Sequence, residues 1–172
     1  MITVSRRPQT GKPWLGLLGF DGKTYPCALG RSGITTRKRE GDGATPAGCF
    51  RLLNGFFRKD RLLLPTSPLP MAPIEASDGW CDEPTHPAYN SRVLLPFNAS
   101  HEKMMRDDRL YDVCIVLDYN IHPRQRGKGS AIFFHLTRAD MGPTEGCIAI
   151  DPNVMRKLLP SFGTDTIMRI LV

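Results

Sequence analysis

Short apolar runs interrupted by glycine and proline most constrain the fold of this chain. The sequence holds 16 glycines and 15 prolines, and several of its apolar segments alternate with period two. Such a pattern favours strands, so we expect a mainly β protein. Asp21 and Gly22, between two expected strands, are a hairpin turn signal. Strands are expected over residues 2–5, 14–20, 23–29, 49–57, 113–119, 131–137, 147–150 and 166–172.

Helices are expected to be few and short. Asp151 followed by Pro152 is a good N-cap and first-turn pair, which predicts a helix over residues 152–159. Ser100 is expected to cap a second, shorter helix over residues 101–107. We therefore expect one or two short helices beside the β structure.

The chain has the length of one ordinary domain, and we expect residues 1–172 to form a single domain. Many of its prolines and glycines lie between residues 65 and 96, where they predict a long, irregular loop excursion. Such excursions in compact domains are usually functional or substrate-lining. No apolar window is long enough to cross a bilayer, so we expect a soluble protein without membrane insertion.

The net charge of +6 does not by itself indicate a nucleic-acid partner. A nucleic-acid binder usually concentrates its basic residues among aromatic ones, whereas here they are spread along the chain. The densest cluster, Arg37, Lys38 and Arg39, is expected to be a solvated loop. A more specific use of arginine is the binding of carboxylates through paired hydrogen bonds.

Five cysteines bear on both chemistry and compartment. Their number is odd, their spacings are wide and no C-x-x-C is present, which argues against a disulfide framework and against a zinc site. The first residues lack the pattern of a secretory signal. We therefore expect a cytoplasmic protein without metal or other cofactor, or a periplasmic one if a leader has been removed.

Two reactive side chains, His135 and Cys147, lie next to two apolar segments. A thiol becomes a good nucleophile when an imidazole takes its proton. The two segments are expected to be neighbouring strands joined by one loop, which would bring the two side chains within hydrogen-bond reach. Gly146 is expected to let the amides of residues 146 and 147 face a developing oxyanion. The alternative is a buried cysteine and a satisfied core histidine.

Other polar and aromatic residues have two interpretations. Trp80, Tyr89 and Asn90, within the excursion, are expected either to grip a peptide or to anchor the loop to the sheet. Arg106 either clamps a substrate carboxylate or pairs with Asp108; the second role is favoured.

Two further residues have possible roles beside the reactive pair. Arg138 precedes Cys147 in the same loop and is a candidate substrate contact. His101 with His135 and Cys147 gives no recognisable zinc-ligand spacing, so no metal is expected there.

The residues Thr144, Glu145, Gly146 and Cys147, preceded by His135, resemble the signature of the L,D-transpeptidase catalytic domain of the YkuD type. The stretch 30–52 resembles the segment in which that family runs through a Gly-Asp and Thr-Pro loop into the next strand; residues 40–48 are its most specific part. The resemblance spans residues 29–159. It departs in having glutamate where many members have a second histidine, and in a shorter spacing from histidine to cysteine, which indicates a divergent subgroup.

The resemblance implies a YkuD-like β-sandwich and a reaction. Cys147 would attack the amide between meso-diaminopimelate and D-alanine in a peptidoglycan stem peptide, His135 would carry the proton, and a thioester would form. An amine acceptor makes the enzyme an L,D-transpeptidase; water makes it an L,D-carboxypeptidase, which is favoured in the cytoplasm. Thr144 and Glu145 would line the substrate site, and carbapenems would be covalent inhibitors. The alternative is a muropeptide-binding sensor without turnover.

Overall fold

A computed structural model describes residues 1–8 and 11–172 and shows a mainly β chain. The first strands are β1 (Ile2–Arg6), β2 (Leu15–Phe20), β3 (Lys23–Ala28), β4 (Ile34–Thr35), β5 (Thr45–Pro46), β6 (Gly48–Phe57) and β7 (Met71–Pro73). They are followed by β8 (Asp78–Cys81), β9 (Ser91–Leu94), β10 (His101–Lys103), β11 (Val113–Leu117), β12 (Phe133–Leu136), β13 (Ile148–Ile150), helix α1 (Pro152–Leu158), a 3-10 turn (Leu159–Ser161) and β14 (Ile167–Ile170).

One large sheet organises the fold and closes on itself. Its strand order is β11-β12-β13-β3-β2-β1-β14-β6-β7, and the two ends meet because β11 also pairs with β6. The long strand β6 makes this possible by pairing with β14 through its first half and with β11 through its second half. The predicted mainly β class is confirmed, and the arrangement is consistent with a β-sandwich-like fold with a single short helix.

The local signals at the first hairpin and the helix were interpreted correctly. Asp21 and Gly22 both have positive φ, 49° and 68°, and join β2 to β3 as an antiparallel pair. The side chain of Asp151 caps α1 by accepting hydrogen bonds from the amides of Asn153 and Val154, and Pro152 is its first residue. Short-range turn and cap chemistry therefore determines these boundaries.

The helix predicted over residues 101–107 is wrong. His101–Lys103 is strand β10, and it pairs antiparallel with β8 across about twenty residues of sequence, with Glu102 opposite Trp80. Met104, directly after the strand, is buried. Long-range pairing and the burial of this side chain outweigh the local cap signal of Ser100.

The segment 65–96 is less irregular than the prolines and glycines predicted. It contributes β7, which pairs with β6, and the strands β8 and β9, which form a three-stranded sheet with β10 in the order β10-β8-β9. The long, irregular excursion predicted here therefore contains three short strands joined by loops. These strands have only three or four residues each, too few for a period-two pattern to be recognised in the sequence.

The strands β11, β12 and β13 are buried on both faces, and this positions the site. One face of β12 carries Phe134 and Leu136 into the main core inside the closed sheet. The opposite face carries Phe133 into a second apolar cluster, to which Trp80 and Tyr111 belong. The small sheet and its connections therefore cover the outer face of these strands, and His135 lies on that covered face.

Candidate active site

His135 and Cys147 lie on the same face of two adjacent strands. The strands β12 and β13 are parallel, with His135 opposite Ala149 and Phe134 opposite Ile148. Cys147 directly precedes β13, so it stands beside Phe133, one step along the same face from His135. From the sequence, the loop-joined ends of the two strands are expected to meet. Because the strands are parallel, the two side chains are diagonal neighbours instead, with Cα atoms roughly 7–8 Å apart.

The thiol of Cys147 bonds to main-chain atoms in the resting structure. Its Sγ donates to the carbonyl oxygen of Ala131 at 3.1 Å and accepts from the amide of Phe133 at 3.3 Å. In the described part of the chain, no hydrogen bond joins this sulfur to His135. Cys147 is 7% exposed. Reaction therefore requires the thiol to leave Ala131 and turn toward the imidazole.

The imidazole of His135 is held in one orientation by main-chain and aromatic contacts. Its Nδ1 lies 2.8 Å from the carbonyl oxygen of Leu136, and its ring packs edge-on against Tyr111 with centroids 5.2 Å apart. A carbonyl oxygen only accepts, so Nδ1 carries the hydrogen and Nε2 of the neutral ring is a proton acceptor. The geometry leaves His135 in the tautomer that a general base needs.

Burial keeps both reactive groups neutral near pH 7. Desolvation raises the pKa of the Cys147 thiol to about 12; Glu102 also raises it, whereas the Phe133 amide, Lys38 and Arg106 lower it. Desolvation lowers the pKa of His135 to about 4, although the bond to the Leu136 carbonyl raises it. The resting pair is therefore a thiol and a neutral imidazole, and the proton has to move during attack.

The turn before Cys147 depends on Gly146. Its φ is +136°, and a β carbon there would lie 2.8 Å from the carbonyl oxygen of Ala44. Its amide donates to Oγ1 of Thr144 at 3.2 Å, and that hydroxyl donates to the carbonyl oxygen of Cys147 at 2.7 Å. Thr144 thus braces the turn, and in this resting state the Gly146 amide is already engaged. The use of that amide for an oxyanion remains a prediction.

A cavity of about 540 Å³ opens onto His135 and Cys147. Arg138 lines it as an exposed side chain. Arg106 also lines it but is bound to Asp108 through two hydrogen bonds of 2.9 and 2.7 Å. This is the structural role that the sequence analysis favoured for Arg106.

The cavity wall also carries acidic groups. Oε1 of Glu102 accepts a hydrogen bond of 2.6 Å from the hydroxyl of Tyr111, and burial raises the pKa of this carboxyl. Glu145 lies at the rim, largely exposed, and pairs with Arg31 at 2.6 Å. The cavity therefore combines guanidinium and carboxyl groups around the reactive pair.

Trp80, Tyr89 and Asn90 are buried behind the cavity wall. Oδ1 of Asn90 accepts from the indole of Trp80 and from the amide of Ala131, both at 3.0 Å. The hydroxyl of Tyr89 donates to Glu40 and accepts from the amide of Gly129 at 3.1 Å. These contacts hold the segment whose carbonyl oxygen accepts from the thiol, and they correspond to the anchoring role that the sequence analysis left open.

Lys38 was missed, because the sequence analysis assigned it to a solvated basic loop. Its side chain is only 5% exposed and bonds to Asp42 at 2.5 Å, and the residue lines the cavity with Cys147. The expectation of a solvated position is therefore wrong for this lysine. The Lys-to-Asp spacing of four residues was the available signal, but it does not indicate burial.

Within residues 1–8 and 11–172, no three or more His, Cys, Asp or Glu side chains are grouped so as to hold a metal ion. Over the same residues, no helix is long and apolar enough to cross a bilayer.

Comparison with known proteins identifies one family. The model of the YkuD L,D-transpeptidase catalytic domain matches residues 20–170, which include every side chain of the cavity. Comparisons with curated proteins and with solved structures gave no match.

Proposed function

Because this chain belongs to the YkuD family of L,D-transpeptidase catalytic domains, we propose that it transfers acyl groups of peptidoglycan stem peptides through Cys147. The single observation that carries the proposal is the shared cavity of Cys147 and His135 on one face of β12 and β13. A histidine and a cysteine of a packed core have no need of a cavity. Here the thiol, the imidazole and charged groups line the same opening.

The first half of the proposed reaction forms a thioester. Nε2 of His135 takes the proton of the Cys147 thiol as the sulfur attacks the carbonyl carbon of the amide between diaminopimelate and D-alanine. The carbonyl electrons move onto oxygen and give a tetrahedral oxyanion. When the carbon–nitrogen bond breaks, the imidazolium returns its proton to the departing amine, and D-alanine leaves.

The second half consumes the thioester. An acceptor, either water or an amine, loses its proton to Nε2 of His135 and attacks the thioester carbon. The sulfur departs and takes back the proton, so that the enzyme returns to its starting state. Water gives a shortened stem peptide with a free carboxylate and makes the enzyme an L,D-carboxypeptidase. An amine gives a new amide and makes it an L,D-transpeptidase.

Arg138 is the residue that we propose for binding a substrate carboxylate. It lines the cavity and forms no ion pair within the part of the chain that the structure describes. Arg106, by contrast, is committed to Asp108. Stem peptides present several carboxylates, and a guanidinium binds such a group through two parallel hydrogen bonds.

Cysteine usage supports water as the acceptor. All five cysteines are free, and Cys49 is exposed. This is the pattern of a reducing compartment, where exposed thiols persist. We therefore propose a cytoplasmic L,D-carboxypeptidase that acts on recycled wall fragments.

Mass spectrometry of a disaccharide tetrapeptide muropeptide incubated with the protein tests the proposal. We expect loss of alanine in the wild type and in the control Cys49→Ala, and no reaction with Cys147→Ala. Cross-linked dimers or exchange of D-amino acids would favour transpeptidation. Binding of the muropeptide without any mass change would favour a sensor and contradict the enzymatic proposal.

Carbapenem acylation gives a faster version of the same test. A β-lactam carbonyl is an acyl donor for a thiol, so we expect one adduct per chain in the wild type and in Cys49→Ala. Intact mass measures it. An adduct that persists in Cys147→Ala would argue against Cys147 as the nucleophile.

A further inference from the structure

Lys38 is a buried cation fixed beside the turn of residues 144–147, the reactive turn. Its ammonium Nζ donates to Oδ1 of Asp42 at 2.5 Å and to the carbonyl oxygen of Arg39 at 3.0 Å. The side chain is 5% exposed, whereas that of Asp42 is 26% exposed. A lysine so buried is uncommon and requires a partner, which Asp42 supplies.

Two glycines make room for this side chain. A β carbon on Gly146 would lie 3.5 Å from Nζ, so the ammonium stands against the turn that leads into Cys147. A β carbon on Gly129 would lie 2.9 Å from Cε and 3.0 Å from Cγ of the same lysine. The backbone on both sides of the aliphatic stem therefore directs the ammonium to the cavity that Cys147 also lines.

The ammonium retains capacity for a further contact. A lysine has three N–H donors, and the described residues use two of those of Lys38, for Asp42 and for Arg39. The carboxylate of Asp42 is the more exposed partner, so solvent screens its charge more than that of the ammonium. The ion pair thus presents its positive end to the reactive turn.

Other charges act on the thiol as well. Glu102 opposes ionisation of Cys147, as burial does, and Arg106 favours it, as Lys38 does. His135 is neutral above about pH 4, because burial lowers its pKa to about 4, and therefore adds no positive charge in the resting state. Arg106 is largely compensated by its two hydrogen bonds to Asp108. Arg31 also lies beside the turn, but it is 52% exposed and pairs with Glu145. Lys38 is then the buried cation next to the turn.

We propose that the ammonium of Lys38 stabilises the negative charge that develops at Cys147, first on the sulfur and then on the oxygen of the tetrahedral intermediate. Stabilisation of the thiolate concerns Cys147 alone and needs no substrate. Stabilisation of the oxyanion rests on the proposed acyl transfer. A positive charge held in a site shielded from water acts more strongly than one in solvent and needs no reorganisation during reaction. The alternative is a lysine that only ties the loop of residues 38–42 together.

The rate of alkylation of Cys147 by iodoacetamide at pH 8 separates these roles without any turnover. Only the thiolate reacts, so below its pKa the rate falls about tenfold for each unit by which the pKa rises. Peptide mass mapping follows Cys147 and the exposed Cys49 in the same sample, and Cys49 is the internal control. We expect Lys38→Met to slow alkylation of Cys147 by about tenfold, and Lys38→Arg to stay within about threefold of the wild type.

Asp42→Asn is expected to change the alkylation rate of Cys147 in the opposite direction to Lys38→Met. It removes the compensating negative charge but keeps an oxygen that accepts from Lys38, so we expect alkylation of Cys147 to become faster. If both Lys38→Met and Asp42→Asn shift the rate in the same direction, or if Lys38→Met leaves it unchanged, the proposal is wrong. Unfolding of a variant is recognised by faster alkylation of the buried Cys27 and Cys114. If Lys38→Met unfolds, the alkylation rates of Cys147 in Asp42→Asn and Lys38→Arg test the proposal instead.

The experiment is independent of the substrate. A muropeptide that is not cleaved, together with the expected alkylation rates, would remove the acyl-transfer proposal and leave the role of Lys38 on the thiol. Cleavage of the muropeptide together with unchanged alkylation in Lys38→Met would support the acyl-transfer proposal and remove the proposed role of Lys38.

Discussion

The thiol of Cys147 donates its hydrogen bond to the carbonyl oxygen of Ala131, 3.1 Å away, and the amide of Ala131 in turn donates to Asn90 at 3.0 Å. Ala131 has a φ of +50°, which is costly for an alanine. The nucleophile therefore rests against a strained residue that one buried asparagine side chain holds in place. The side chain of Asn90 is therefore expected to affect both stability and activity.

Asn90→Ala is expected to destabilise the protein and to disorder the contact of Cys147. The substitution leaves the Ala131 amide and the Trp80 indole without their common acceptor in a buried site. We expect a loss of about 3 kcal/mol in the free energy of unfolding, measured by urea denaturation. Asn153→Ala, at an exposed position, is the control. It should lower the free energy of unfolding by well under 1 kcal/mol, as an ordinary surface substitution does. Equal losses in the two variants would contradict the role of Asn90.

Gly146→Ala is expected to abolish activity and to destabilise the turn. The added β carbon would lie 2.8 Å from the Ala44 carbonyl oxygen, at a backbone φ of +136°. The matched control is Gly22→Ala, where φ is +68° but no atom lies within 4 Å, so only backbone strain is added. Thermal denaturation should show a larger decrease in melting temperature for Gly146→Ala than for Gly22→Ala. A Gly146→Ala variant that is active and as stable as Gly22→Ala would contradict the role of this turn.

His135 is expected to make stability fall in mild acid. Its pKa in the folded state is about 4, below the ordinary value of 6.5, because of burial. As the pH falls from about 6.5 to 4, the unfolded chain takes up a proton that the folded chain does not, so folding loses on the order of 3 kcal/mol.

Denaturation between pH 7 and 4 checks this prediction. His135→Gln should lose the corresponding part of the pH dependence, whereas His122→Gln, at an exposed position, should keep it. The same pKa implies that the acid limb of catalysis, which needs neutral His135, lies near pH 4. An acid limb near pH 6.5, or an unchanged pH dependence in His135→Gln, would show that the imidazole is not buried as described.

Glu145→Gln is expected to leave stability nearly unchanged. The ion pair with Arg31 joins side chains that are 72% and 52% exposed, and such pairs contribute about 0.5 kcal/mol. A decrease of more than about 2 kcal/mol in urea denaturation would show that the pair is structural. If stability is retained and the KM for the muropeptide changes, Glu145 acts at the rim of the substrate cavity, as the family resemblance implies.

Local chemistry explains what the sequence could predict. The cap of Asp151 and the turn at Asp21 and Gly22 depend on neighbouring residues alone. The nearly continuous apolar run of the β12 segment is typical of a strand buried on both faces. The two neighbouring apolar segments indicated the reactive pair, and the family resemblance favoured its catalytic role. All of this information lies within short stretches of sequence.

Long-range strand pairing explains the features that the sequence could not predict. The pairing of β10 with β8 replaced the helix predicted over residues 101–107, and the parallel pairing of β12 with β13 made His135 and Cys147 diagonal neighbours. The burial of Lys38 depends on the room left by Gly129 and Gly146, about a hundred residues away. No local pattern encodes such contacts.

The most direct test of the central claim is the intact mass of the protein quenched in acid during turnover of a tetrapeptide muropeptide. We predict a covalent adduct equal in mass to the substrate less D-alanine, located on the peptide that contains Cys147 and absent from Cys147→Ser. Release of alanine by Cys147→Ser, or an adduct on Cys49 or any other residue, would contradict the account.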